Sequence, residues 1–203
     1  MNTTQTRNAA TTTLLLIQIV IGYEWLVSGL TKLVRGDFPA GLAAQLGDMS
    51  KGAPGWYRGF LTSVVLPHSV AFGYSIEIIE LAAGAVLIAL AVVLLVRPEL
   101  ELPLPAIVAA VAASAACLLM VANFELANGA GFGLSLGKDT FDEGVDLDTL
   151  MTGLQLALLV FWGAALRRRL SQEPSSNSRK TSFKAIRLWD SSRQPTINGV
   201  GKP

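Results

Sequence analysis

The feature that most constrains this chain is a set of four apolar stretches, each near the length needed to cross about 30 Å of hydrocarbon. They run over 14–34, 70–96, 105–124 and 149–166. Hydrocarbon offers no water to backbone N–H and C=O groups, so stretches of this kind must close their hydrogen bonds within a helix. Charged residues make up only 15% of the 203-residue chain, against about a quarter in soluble domains. The deficit supports the same conclusion. The sequence thus predicts an all-α membrane protein, a four-transmembrane-helix bundle over 14–166. A segment 1–13 precedes the bundle and a basic tail 167–203 follows it. The first stretch is expected to be retained rather than cleaved. Arg7 is the only basic residue before it, no A-x-A site follows, and Glu24 interrupts it.

Lys and Arg placement predicts the orientation. Arg167, Arg168 and Arg169 follow the fourth stretch, and Arg179, Lys180, Lys184 and Arg187 lie beyond. That end is expected in the cytoplasm of a cell, and four crossings return the N-terminus to the same side. The loops 35–69 and 126–147 then face outward. The second of these carries Asp139, Asp142, Glu143 and Asp146 against one Lys138. In the first, Phe38, Leu42 and Leu46 recur every four residues. They predict an amphipathic helix on the outer membrane surface. The 52–55 Gly-Ala-Pro-Gly segment breaks it. A second amphipathic helix is expected over 56–66, with Trp56 and Tyr57 as interfacial anchors. The tail is rich in Ser, Arg, Lys, Asn, Pro and Gly and is expected to be disordered unless a partner holds it. Within it, 183–189 is a candidate docking stretch.

Cys117 and His68 are each alone. One chain of this composition supplies neither a disulfide, a bis-histidine haem site, a cysteine-ligated cluster nor a Cys/His zinc site. No metal site is expected, and any redox partner would be a diffusible molecule or another subunit. No basic face interleaved with aromatics points to nucleic acid. The glycine-rich stretch 129–137 follows no strand and opens no helix, so it does not predict a nucleotide site.

Ionisable residues inside the stretches mark a candidate site, because charge in hydrocarbon is costly. Glu24, Ser28 and Lys32 share one helix face. Glu77 and Glu80 lie one turn apart in the second stretch, and Glu125 ends the third beside Asn123. Lys32, Arg35, Arg58 and His68 fall toward the same side. Two readings follow. Glu24 or Glu80 pairs with Lys32 or Arg58 and fixes helix register. Or these groups line a polar pocket under the amphipathic cap, where buried carboxylates accept protons. Small residues at Gly22, Gly29, Gly73, Gly84 and 109–116 predict close helix packing. The stretches show no inverted repeat or broken helix pair, so a transporter ranks last.

The string Glu24-Trp25-Leu26-Val27-Ser28-Gly29-Leu30-Thr31-Lys32-Leu33, with Asp37-Phe38 and Gly41-Leu42 after it, resembles the first-helix signature of the DoxX/DoxD family. Gly55-Trp56-Tyr57-Arg58-Gly59-Phe60-Leu61 and Val65-Leu66-Pro67-His68 are similar to the DoxD branch. Glu80-Leu81-Ala82-Ala83-Gly84 and Asn123-Phe124 fit the family's second and third helices. The likeness covers about 14–166. It implies a four-helix bundle and, for the DoxD branch, the large subunit of a thiosulfate:quinone oxidoreductase with a small partner subunit. Its carried-over polar positions are Glu24, Lys32, His68, Glu80 and Asn123. The expectation is therefore a membrane subunit of an oxidoreductase, reducing a diffusible quinone. Glu24 and Glu80 are its candidate proton acceptors. Lys32, Arg58, His68 and Asn123 are its candidate substrate-binding groups. The alternative is a non-catalytic subunit packed into a larger electron-transfer complex, with the tail as tether.

Overall fold

The computed structural model describes residues 3–129 and 147–172. Among them there are helices and no strands. The chain divides after Leu166 into two units, and of the second only 167–172, the end of the last helix, is described. The acidic loop and the 183–189 stretch lie outside the described residues.

Four long helices carry the apolar stretches: α1 (Thr3–Arg35), α4 (Ser69–Val96), α5 (Leu104–Asn128) and α6 (Leu147–Gln172). Each is long and apolar enough to cross a bilayer. Pro105 sits in the first turn of α5, where its missing N–H costs nothing. Successive helices run antiparallel. Gly22 and Gly29 of α1 meet Gly84–Ile88 and Glu80–Leu81 of α4. Ile107 of α5 packs with Leu90 and Leu94 of α4 and with Trp162 of α6. At the other end, Thr149 of α6 donates to Glu125 of α5 at 2.8 Å.

The α1–α4 contact is a close joint, and glycine makes it so. A Cβ on Gly84 would lie 2.5 Å from the Leu26 nitrogen and 2.7 Å from the Gly22 carbonyl oxygen. Both are backbone atoms, so nothing larger fits without parting the helices. Lipid chains are as apolar as leucine, so helix association in a bilayer rests on such contact rather than on burial from water. Ile21, Trp25, Ala83, Leu87, Ala113, Cys117, Val121 and Leu158 form the central core. Outward-facing residues such as Val20, Tyr23, Val34, Ile78, Leu119 and Val160 are large and apolar. That is the pattern of a surface facing hydrocarbon.

One end of the bundle carries a cap. Helix α2 (Phe38–Met49) buries Pro39, Leu42 and Leu46; of the expected Phe38, Leu42 and Leu46 face, Phe38 is only partly buried. It rests on α4, where a Cβ on Gly73 would meet the Pro39 Cα at 2.5 Å. The second cap element differs from expectation. Helix α3 (Gly55–Phe60) passes into a π turn (Leu61–Val65) and a 3-10 turn (Leu66–His68), then directly into α4. Pro67 explains the break: it has no N–H to donate back along the helix. The π turn redirects the chain at that point. Trp56 is 70% exposed, but Tyr57 is buried, so only the first of the two expected anchors faces outward.

Candidate functional site

Helix α1 brings Glu24, Ser28 and Lys32 to one face, as their four-residue spacing requires. The glycine joint sets this face against Glu80 of α4. Lys32 donates to the Glu80 carboxylate and to the Ser28 hydroxyl at 3.0 Å. Its ammonium also lies 4.9 Å from the centre of the Phe38 ring of α2, a cation–π distance. Glu80 is 1% exposed and Lys32 20%. Such a pair strongly resists losing one partner, because the survivor stays buried and uncompensated.

Beside the pair lies a cavity of about 140 Å³, lined by Glu24, Trp25, Ser28, Lys32, Glu80, Val121, Phe124 and Met151. At roughly 30 Å³ per water it holds about four or five waters, or one compact polar group. Two polar atoms of its lining residues are buried with no protein partner: the Trp25 indole Nε1 and the Glu80 Oε2. One is a donor only and the other an acceptor when ionised. In hydrocarbon an unanswered polar group costs several kcal/mol, which makes this the most polar stretch of the α1–α4 joint. Glu24 is exposed and stands where this cavity meets an open groove of about 510 Å³. The groove runs between α1 and α2, past Thr31, Lys32, Arg35, Asp37, Phe38 and Gln45.

Of the six candidate site residues, three meet here: Glu24, Lys32 and Glu80. The other three lie elsewhere. Arg58 spends its guanidinium on backbone carbonyls of the α2–α3 turn: Ser50 at 3.0 Å, Lys51 at 2.7 Å and Ala53 at 3.1 Å. A planar fork with five N–H groups suits that task. His68 is exposed at the N-cap of α4 and makes no side-chain cap bond. Asn123 accepts the Tyr57 hydroxyl at 2.6 Å and donates to the Leu119 carbonyl at 2.5 Å. It lines a separate apolar pocket of about 280 Å³ under the cap. Glu77 is 3% exposed, and its Oε1 has no protein partner.

A search for charge overlooks several groups. Deeper in the core, Trp162 Nε1 donates to Gln18 Oε1 at 3.0 Å, and Gln18 Nε2 donates to the Leu87 carbonyl at 2.8 Å. Gln155 is wholly buried and neither side-chain amide atom has a protein partner. An amide or an indole inside an apolar stretch is the signal that marks these positions. Among the described residues no group of three or more His, Cys, Asp or Glu is placed to hold a metal.

These features define an α-helical multi-pass membrane protein with a polar cavity built into its bundle. No protein-family profile, curated protein or solved structure matches the chain.

Proposed function

We propose that this chain is the membrane subunit of an oxidoreductase, binding a quinone headgroup in the Lys32–Glu80 cavity and coupling its reduction to oxidation of a small sulfur anion, thiosulfate. The DoxD-like motifs supply the reaction, and one observation supports its location. The cavity lies against the buried Lys32–Glu80 ion pair and is lined by Glu24, Ser28 and Trp25. In this reading a quinone carbonyl accepts a hydrogen bond from Lys32, and Glu80 exchanges the protons that reduction demands. The balance is two thiosulfates joined through a new S–S bond, releasing two electrons. One quinone takes those electrons and two protons to become the hydroquinone. A small partner subunit belongs to this reading. So does a cell-membrane location with both ends cytoplasmic, which follows the basic residues after α6.

The test is quinone reduction by the purified protein in lipid nanodiscs with thiosulfate as donor, with and without candidate partner subunits. Glu80→Gln and Lys32→Met are expected to lower it by at least about ten-fold, the loss of roughly 1.4 kcal/mol of transition-state stabilisation. No turnover with any partner, together with no quinone binding, rejects the proposal.

A specific observation favours the second reading, a non-catalytic subunit of a larger complex. Leu16, Val20, Tyr23, Val27, Leu30 and Val34 form an exposed stripe at alternating three- and four-residue spacing on α1, and Glu24 is exposed on that helix. A partner helix laid along this stripe would cover it together with the mouth of the groove that Glu24 lines. Deleting 173–203 separates the readings. Loss of complex assembly with the bundle intact favours the accessory role.

A further inference from the structure

The polar cavity has an apolar neighbour. The pocket of about 280 Å³ under the cap is lined by Leu42 and Leu46 of α2, Tyr57 and Phe60 of α3, and Leu61 and Val65 of the π turn. Phe72 and Ile76 of α4 and Asn123, Phe124 and Ala127 of α5 complete it. Phe124 lines both spaces, so a polar pocket and an apolar one adjoin at one partly buried ring. The polar groups of the apolar chamber are satisfied, since Tyr57 and Asn123 bond to each other. Nothing in it asks for a polar ligand. Its rim includes Phe60 and Phe72, 42% and 36% exposed, on a surface of hydrocarbon-facing residues.

The π turn is the second observation. It interrupts an otherwise helical run, and two of its residues, Leu61 and Val65, are buried and face this pocket. Wider turns of this kind concentrate at functional sites. Simple packing would close the space with one larger side chain.

We propose that the two chambers together hold one amphiphile from the bilayer. Its compact headgroup sits beside Lys32 and Glu80, the first units of its apolar chain lie in the cap pocket, and Phe124 is the divider it passes. This rests on the reading above and narrows it: the substrate is a chain-bearing carrier, and water-soluble analogues are poor ligands. A chain leaving lipid for an apolar pocket gains little from burial. The pocket therefore works by orienting the chain and removing the cost of ordering it at each binding event.

The experiment compares probes sharing one benzoquinone headgroup and carrying zero, one or two isoprenoid units. Binding is measured in nanodiscs with the full chain and with Ile76→Trp and Leu42→Phe, which fill the pocket. Melting and gel filtration matching wild type certify the fold of each variant. In wild type, the two-unit probe is expected to bind at least about ten-fold tighter than the bare headgroup. In the filled variants that ratio is expected to fall by about the same ten-fold, to the value that lipid partition alone sets. Partition into lipid is common to all proteins and cancels. An unchanged ratio in both variants overturns the proposal, because the chain then lies in lipid. So does a phospholipid that co-purifies in the pocket and resists displacement by the two-unit probe. A bare headgroup that binds through Lys32 without any chain effect overturns this inference and leaves the site reading standing. Failure of every probe to bind removes both.

Discussion

Replacing Gly84 with alanine tests whether the α1–α4 joint frames the site. The added Cβ would lie 2.5 Å from the Leu26 nitrogen, 2.7 Å from the Gly22 oxygen and 2.9 Å from the Leu26 Cα. Ordinary contact begins near 3.4 Å, so the helices must part by about 0.9 Å at the crossing. A gap of 0.5–1 Å forfeits roughly a quarter to a half of each dispersion contact across it. Forced overpacking of this kind costs about 1–3 kcal/mol, and backbone on both sides places it at the upper end. Alanine returns about 1 kcal/mol of helix propensity over glycine. The net expectation is a loss of roughly 2 kcal/mol. Gly163 of α6 is the control, because a Cβ there meets nothing within 4 Å. Gly163→Ala is expected to gain up to about 1 kcal/mol. Reversible SDS-induced unfolding in mixed micelles, followed by far-UV circular dichroism, should order the midpoints Gly163→Ala, wild type, Gly84→Ala. If Gly84→Ala is as stable as wild type or more so, the joint is not close-packed and the reasoning fails.

Lys32→Met is expected to cost about 3–5 kcal/mol by stranding a buried carboxylate, and Lys32→Met with Glu80→Gln to recover most of it. The same unfolding assay reads both. Gln18→Leu removes the acceptor for Trp162 and the donor to Leu87, with an expected cost of about 1–3 kcal/mol and a changed Trp162 fluorescence. Arg58→Lys loses the fork that ties three carbonyls of the α2–α3 turn, and faster limited proteolysis near 50–54 should report it. The fully exposed Asp48–Lys51 pair, 2.8 Å apart, holds the Asp48 carboxyl below its ordinary range. Any stabilisation from it is present at neutral pH and fades as the pH falls through that lowered value. Asp48→Asn is expected to leave the unfolding midpoint unchanged at pH 7.

The four helices and α2 were legible because each depends on local composition and period. Leu42 and Leu46 turn inward for the same reason their spacing stands out. The site was legible only in part. Glu24, Ser28 and Lys32 lie on one helix, so their common face follows from 3.6 residues per turn. Which acid Lys32 meets depends on how α1 crosses α4, and that is set by Gly22, Gly29 and Gly84 in three dimensions. Arg58 looked equivalent to Lys32 by charge and position. Its partners are carbonyls exposed by the turn at 50–53, and no side-chain pattern signals an unpaired carbonyl. The π turn was invisible for a similar cause: Pro67 announces a break, but whether the chain ends, kinks or widens there depends on what packs beneath Leu61 and Val65.

The register reading and the pocket reading were framed as alternatives, and the geometry removes the opposition. Lys32 and Glu80 make a direct contact and also bound a cavity. A lysine ammonium has three N–H groups, and the Ser28 hydroxyl and Glu80 carboxylate account for two. Glu80 has two oxygens, and only Oε1 is bonded. The pair can fix how α1 meets α4 with one atom of each residue and still leave an N–H of the part-exposed Lys32 ammonium for a ligand. The double replacement Lys32→Met/Glu80→Gln gains diagnostic power from this. It keeps the shape of the joint while deleting both charges, so restored stability with restored quinone binding would assign the pair to architecture alone. Restored stability with binding still lost would assign it to the site, because packing would then be intact and only the chemistry absent.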